Sequence, residues 1–191
     1  MAVVSGSNRS LTDCTEMDRT VQIRAGRQKD QEWCARLMAT SEPWITLGQD
    51  LELCRQKVAR PGTELFVAEG GAGQQLAGFI LLVPYGFAGS PYVNSIAVAS
   101  EARGRGVGAA LLRFAEEKFA RRGQIFLLVS SFNVRAQAFY RREGYEYVGE
   151  LKDYIVRGHS ELIFGKRIGG REKNGSKDPP LQLKSGRGED V

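Results

Sequence analysis

The chain has 191 residues, of which 42% are hydrophobic and 26% charged, with a formal net charge of +5. That balance fits one globular domain plus tails, and the excess of positive charge suits an anionic ligand without identifying one. Three cysteines with no close spacing (Cys14, Cys34, Cys54) argue against a disulfide framework and against a zinc site, and no apolar run is long enough to cross a membrane.

Residues 1–19 are polar and aperiodic and read as a disordered extension. They lack the charged-then-apolar pattern of a secretory leader, so the cytoplasm is the expected compartment, and Met17 is an alternative start to Met1. The patterned region runs over 20–168, and 169–191 reads as a mobile tail rich in Gly, Lys, Ser, Pro and Asp. Within the patterned region Thr20–Ala25 alternates like a strand. Asp30 is the expected N-cap of a helix carrying Trp33, Leu37 and Met38. Leu51–Ala59 predicts a second helix, stopped by Pro61-Gly62. Glu64–Glu69 and Leu76–Val83 read as a hairpin around the glycines at 70–73, and Tyr92–Ala99 as a further strand.

A glycine-rich turn over 103–108 then opens a helix whose Val107, Leu111, Phe114, Ala115 and Phe119 share one face, with Gly123 beyond its end. Ile125–Val129 is apolar throughout, as in a strand buried on both sides. Asn133 is placed to cap a helix reaching Glu143, and Gly144 stops it. Tyr145–Tyr154 and Ser160–Lys166 read as the last two strands. The order is β-α-α-β-β-β-α-β-α-β-β, an α/β fold with helices packed on one mixed sheet. Cys34 and Cys54 fall in helical segments and are expected as buried small residues.

The turn carries most of the chemical information. Gly104, Gly106 and Gly108 lie between a strand and a helix N-terminus, with Arg103 and Arg105 interleaved. Unpaired N–H groups in the first helical turn, the macrodipole and absent side chains together form a cradle for a phosphate-type anion. A tight turn that needs glycine only for its backbone angles is the competing reading. The spacing is not Gly-x-Gly-x-x-Gly, and no Gly-Lys-Ser/Thr follows, which sets aside the dinucleotide-binding and P-loop motifs.

Arg103, Gly106 and Gly108 match the Gln/Arg-x-x-Gly-x-Gly/Ala motif, preceded by the strand Asn94-Ser-Ile-Ala-Val98. Downstream, Asn133-Val-Arg-Ala136 with Phe139-Tyr140 and Gly144-Tyr145 match a second motif. With both motifs at this separation, the chain resembles the GCN5-related N-acetyltransferase superfamily over about 20–168. The resemblance implies acetyl-coenzyme A as co-substrate, no metal, and direct attack by an amine in a ternary complex. It implies that the backbone of Ile96, Ala97 and Val98 pairs with the pantetheine arm, the N–H near Val98 polarising the thioester carbonyl. The N–H groups of Gly104, Arg105, Gly106, Val107, Gly108 and Ala109, on to Ala110, would hold the pyrophosphate. Tyr140 would protonate the departing thiolate, and Asn133 would both cap its helix and touch the pantetheine. By residue type alone, Tyr140 also suits a ring packed under the sheet, but the complete motif around it favours the chemical role. The resemblance also brings the option of a homodimer through the last strands.

The family's known carboxylate positions are empty here. The strand before the glycine turn offers Tyr92, Asn94 and Ser95, and Leu128 stands five residues before the motif asparagine. This weakens acetylation of a protein lysine or N-terminus and favours a small-molecule amine. A non-catalytic acyl-coenzyme A-binding module is a third reading, and nucleic-acid binding lacks a signature among the scattered basic residues. Glu69, Asp153, His159 and Glu161 are the candidates for a general base, beside a water relay. For the acceptor pocket the candidates are Glu42 and Trp44, in the linker over 41–48, with Tyr85, Phe87, Tyr92 and His159.

Overall fold

The computed structural model describes residues 21–70 and 75–169. The readings of 1–19, of the tail from 170 and of the turn over 71–73 lie outside the described residues. Strands β1 (Gln22–Ala25), β2 (Glu64–Gly70), β3 (Gln75–Phe87), β4 (Ser90–Val98), β5 (Gln124–Ser130), β6 (Glu146–Leu151) and β7 (Glu161–Arg167) form one sheet. Its order is β1-β2-β3-β4-β5-β7-β6, antiparallel throughout except where β4 lies parallel to β5. Helices α1 (Gln28–Ala39), α2 (Leu51–Val58), α3 (Val107–Lys118) and α4 (Val134–Arg142) complete the expected order, with short 3₁₀ turns at Ser100–Ala102 and Ala120–Arg122.

The unbroken apolar run in β3 exists because both faces of that strand are covered. Ile80 and Leu82 join Leu111, Leu112, Ile125, Tyr140 and Phe164 in the core beneath α3 and α4. Phe79 and Leu81 point the other way, into a second core with Cys34, Met38, Trp44, Cys54 and Val58 from the α1–α2 side. Both cysteines are fully buried there. Burial pushes the Cys34 thiol up to about 12, so it behaves as a small apolar residue. Gly78 lets α3 lie close to the sheet: a Cβ there would meet Ala97 O at 2.8 Å, with Val107 and Leu111 side chains at 3.2 and 3.3 Å.

Several boundaries differ from the sequence reading for local reasons. Asp30 is not the N-cap of α1 but its third residue; Arg27 is the cap, and Asp30 Oδ2 accepts the Arg27 N–H at 2.7 Å. The same carboxylate receives Arg24 Nη1 at 2.7 Å, so β1 is tied to the start of α1. Strand β3 continues past Pro84 to Phe87 through an irregularity in its pairing, then turns at Ala88-Gly89, both at positive φ (48° and 77°), into β4. That pair of left-handed residues is what a two-residue hairpin of right-handed twist requires. Helix α3 stops at Lys118, and Gly123 instead closes the 3₁₀ turn before β5, at φ 81°. Strand β6 ends at Leu151, and the Gly158 N–H donates to Asp153 Oδ1 at 2.5 Å in the link that follows.

Candidate active site

A split in the sheet positions the site. β4 and β5 are paired only at Tyr92 with Phe126 and Val93 with Leu127. Beyond Val93 an extra residue, Asn94, interrupts the register with β3, where Leu82 faces Val93 and Leu81 faces Ser95. A bulge bends its strand, and here it turns β4 away from β5. Ala99 N–H donates to Ala77 O at 2.9 Å, which sets the alternation along β4. Ala97 therefore bonds toward β3, and Ile96 and Val98 turn their N–H and C=O groups toward the opening, where β5 no longer reaches them. The Val98 carbonyl is met by Arg103 Nε at 3.2 Å.

The glycine turn stands at one mouth of this opening. Gly104 and Gly106 are held at φ 78° and 81°, and a Cβ on either would meet nothing within 4 Å. Their requirement is backbone handedness, and the space above them stays open. Gly108 differs: a Cβ there would press on Phe139 at 3.1 Å. Gly106 caps α3 with no side-chain bond, and the first intrahelical donor is Ala110, whose N–H reaches Gly106 O at 2.9 Å. The N–H groups of Val107, Gly108 and Ala109 are thus left for a partner outside the helix, and Ala110 drops out of the expected set. Arg103, Arg135 and Arg142 line the same cleft, while the Arg105 side chain is exposed and stands outside its wall.

The cleft measures about 1510 Å³. A drug-sized ligand occupies roughly 300–1,000 Å³, so this space accommodates two substrates side by side. Tyr140 and Glu161 both line it. Tyr140 is 7% exposed, its ring packed on Phe139, Tyr145 and Phe164 at 5.4–6.4 Å between centroids. Burial raises its phenol above the ordinary value, so the group stays protonated. Asn133 caps α4, its Oδ1 accepting the Ala136 N–H at 3.2 Å. Gln137, one turn before Tyr140, donates to Ser131 O at 2.9 Å and pins α4 over the end of β5.

Glu161 opens β7 opposite Ser130 and is 4% exposed, with its Oε1 accepting the Ser130 hydroxyl at 2.7 Å. Among the described residues no cation approaches it within salt-bridge distance. Burial raises its carboxyl above the ordinary value; the Ser130 bond and the more distant charges of Lys57 and His159 act against that.

A family model for the Acetyltransferase (GNAT) family matches residues 29–145. The chain belongs to that family. Membership makes it an acetyl-coenzyme A-dependent N-acetyltransferase. Among solved structures, GNAT neighbours include nourseothricin acetyltransferase, at 25% identity and TM-score 0.61, covering 78% of this chain and 98% of that one. An aminoglycoside 6'-N-acetyltransferase complexed with coenzyme A shares the fold at 17% identity and TM-score 0.63, with coverages of 78% and 98%. A spermidine N-acetyltransferase from Vibrio cholerae in complex with CoA and spermine does so at 20% identity and TM-score 0.59, with coverages of 78% and 95%. No curated protein matches the chain significantly by sequence.

Within this GNAT frame the remaining sequence candidates separate. Tyr92, Phe87 and Trp44 line the cleft; Trp44 is also a core residue, 5% exposed among Val67, Phe79 and Leu81. Glu42 lines it from an exposed position, its carboxylate accepting the Thr46 N–H at 3.3 Å. His159 does not line the cleft: its ring stands edge-on to Phe132 at 5.0 Å. Glu69 is paired with Arg24 at 2.6 Å, Asp153 is held in its own turn, and Tyr85 is exposed under the Arg122 guanidinium. The structure adds Lys57 and Arg60 from α2 and its end, and Ser130 and Arg135, which periodicity alone had no means of directing into a cleft.

Proposed function

We propose that this GNAT domain acetylates a small-molecule primary amine, with Tyr140 as the acid and Glu161 as the base. The observation that carries the proposal is that a buried phenol and a buried carboxylate free of any salt bridge among the described residues line one cleft together with the glycine cradle. The residues fit acetyl-coenzyme A: three free N–H groups and three arginines suit its phosphates, and the outward edge of Ile96–Val98 suits an amide-bearing arm. The cofactor supplies an acetyl thioester.

The chain's own part is positional and acid–base. The Val98 N–H faces the opening, where a hydrogen bond to the thioester oxygen would stabilise charge developing there. Glu161, poised by burial above the usual carboxylate range, would take the proton that the amine must lose, directly or through one water. Tyr140 keeps its proton because burial opposes ionisation, and so it can deliver that proton to the leaving sulfur. Asn133 fixes the start of α4 and hence the register at which Tyr140 enters the cleft.

The neighbours named for nourseothricin, aminoglycoside and spermidine acetylation support a small amine over a protein acceptor. The test is titration of the purified protein with acetyl-coenzyme A, followed by thiol release against polyamines, amino acids, aminoglycosides and short peptides. Turnover on a small amine supports the reading. Turnover on peptides alone would replace it with protein acetylation, and binding without turnover on any acceptor would leave a binding module.

A further inference from the structure

The acceptor half of the cleft carries one feature the acetyl transfer itself does not use. Lys57, on the last turn of α2, is half-buried and lines the cleft. Among the described residues its ammonium makes neither a salt bridge nor a side-chain hydrogen bond. A buried ammonium with no partner is costly, and proteins retain one where a ligand completes it. Burial draws its ammonium below the ordinary value, with Arg60 adding a like charge and Glu161 opposing. Lys57 and Glu161 line the same cleft, and no salt bridge joins them. Arg60 lines the same wall from an exposed position.

We propose that the acceptor is a small amino acid, an amine that also bears a carboxylate, with the carboxylate held by Lys57 and the amine presented to Glu161. This rests on the acetyltransferase reading above and narrows its substrate. A polycation would set a second ammonium against Lys57 and Arg60, whereas an amino carboxylate places each charge beside its opposite. Trp44, Tyr92 and Phe87 give that cleft apolar surface. A ligand that excludes water from this apolar surface strengthens both contacts.

The experiment measures kcat/KM by thiol release for α-, β- and γ-amino acids, their uncharged amides and diamines of matching length. The wild-type protein and Lys57→Met, Lys57→Gln and Lys57→Arg are compared. Coenzyme A affinity reports folding in each variant, and two neutral replacements guard against one failing to fold. The expected result is a preference of the wild-type protein for one acid over its amide and over the diamine. That acid-to-amide ratio should fall about 10–100-fold in the neutral variants through KM, and recover in part with arginine. Turnover on the amides or diamines with no preference for the acid, or a ratio unmoved in the neutral variants, would overturn the amino-acid assignment and leave the acetyltransferase reading standing. Binding of coenzyme A with no turnover on any amine would overturn both.

Discussion

Replacing Gly106 tests the anion cradle with two side chains of nearly equal shape. Gly106 sits at φ 81° with open space where a Cβ would point, so neither Asn nor Asp meets a steric clash in the free protein. Both must adopt a left-handed backbone, at a cost of about 1–2 kcal/mol, and asparagine and aspartate tolerate that region better than most residues. For a domain of this size each kcal/mol lowers Tm by roughly 2–4 °C, so both variants should melt about 2–8 °C below the wild-type protein. They should differ in affinity. A carboxylate ~6 Å from one pyrophosphate charge at an effective dielectric of ~20 is repelled by about 2.8 kcal/mol, about a hundredfold in Kd. Calorimetric titration with coenzyme A at low salt should therefore show Gly106→Asp binding about a hundredfold more weakly than Gly106→Asn, and the ratio should shrink as salt is added. Equal Kd values for the two variants would refute the placement of phosphate at this turn.

Tyr140→Phe should lower kcat by about 10²-fold, the scale of one general acid, with coenzyme A affinity near wild type; unchanged kcat would remove the phenol from the chemistry. Glu161→Gln should abolish the acidic limb of the kcat/KM profile. Only the ionised form accepts a proton, so wild-type activity should rise with pH through a value above the ordinary 4.5; a variant that keeps the same limb would assign it to another group. Asp30→Ala should destabilise the domain by about 2–4 kcal/mol in denaturant titrations, because it removes a buried partner of Arg24 and the Arg27 N–H. The Arg24 bond holds the Asp30 carboxyl below its ordinary 3.8, so that contribution is complete above the unfolded value and fades as pH falls through the lower folded one. A wild-type stability that does not decline more steeply than the variant's below pH ~4 would contradict it. Leu111→Ala, at a fully buried position between α3 and β3, should cost about 2–5 kcal/mol and lower Tm by roughly 4–20 °C.

Much of the architecture was legible because local signals agreed. The helical face from Val107 to Phe119, the run Ile125–Val129 and the cap at Asn133 each had one economical reading, and the order of elements followed. The family rested on two spaced motifs, and the matched region 29–145 contains both. Asp30 was misplaced because an acidic residue at the third helical position and one at the cap look alike in sequence; only the Arg27 backbone bond separates them. The extent of β3 was hidden by Pro84, which ends most strands but is tolerated where the pairing is already irregular. Within the site, the cradle and Tyr140 came from contiguous motifs. Glu161 could be named only as one of four carboxylate or histidine candidates, because its burial depends on Ser130, thirty-one residues earlier, and on the bulge at Asn94. Lys57 carried no signal at all: a lysine on a short amphipathic helix is normally solvated, and only the packing of α2 against the sheet turns it inward.

The two-residue junction between β4 and β5 makes the sheet a pair of panels with a fault line between them. One panel is β1 to β4 with α1 and α2; the other is β5, β7 and β6 with α4. The other strand pairs form longer antiparallel ladders, so within the sheet the panels meet only at Tyr92–Phe126 and Val93–Leu127, while the core beneath α3 joins them on one face. Anything that lies along Ile96–Val98 and also touches α4 supplies the missing lacing. The cleft is thus a gap in the hydrogen bonding of the sheet itself, and an amide-bearing ligand would bind there as an added strand does.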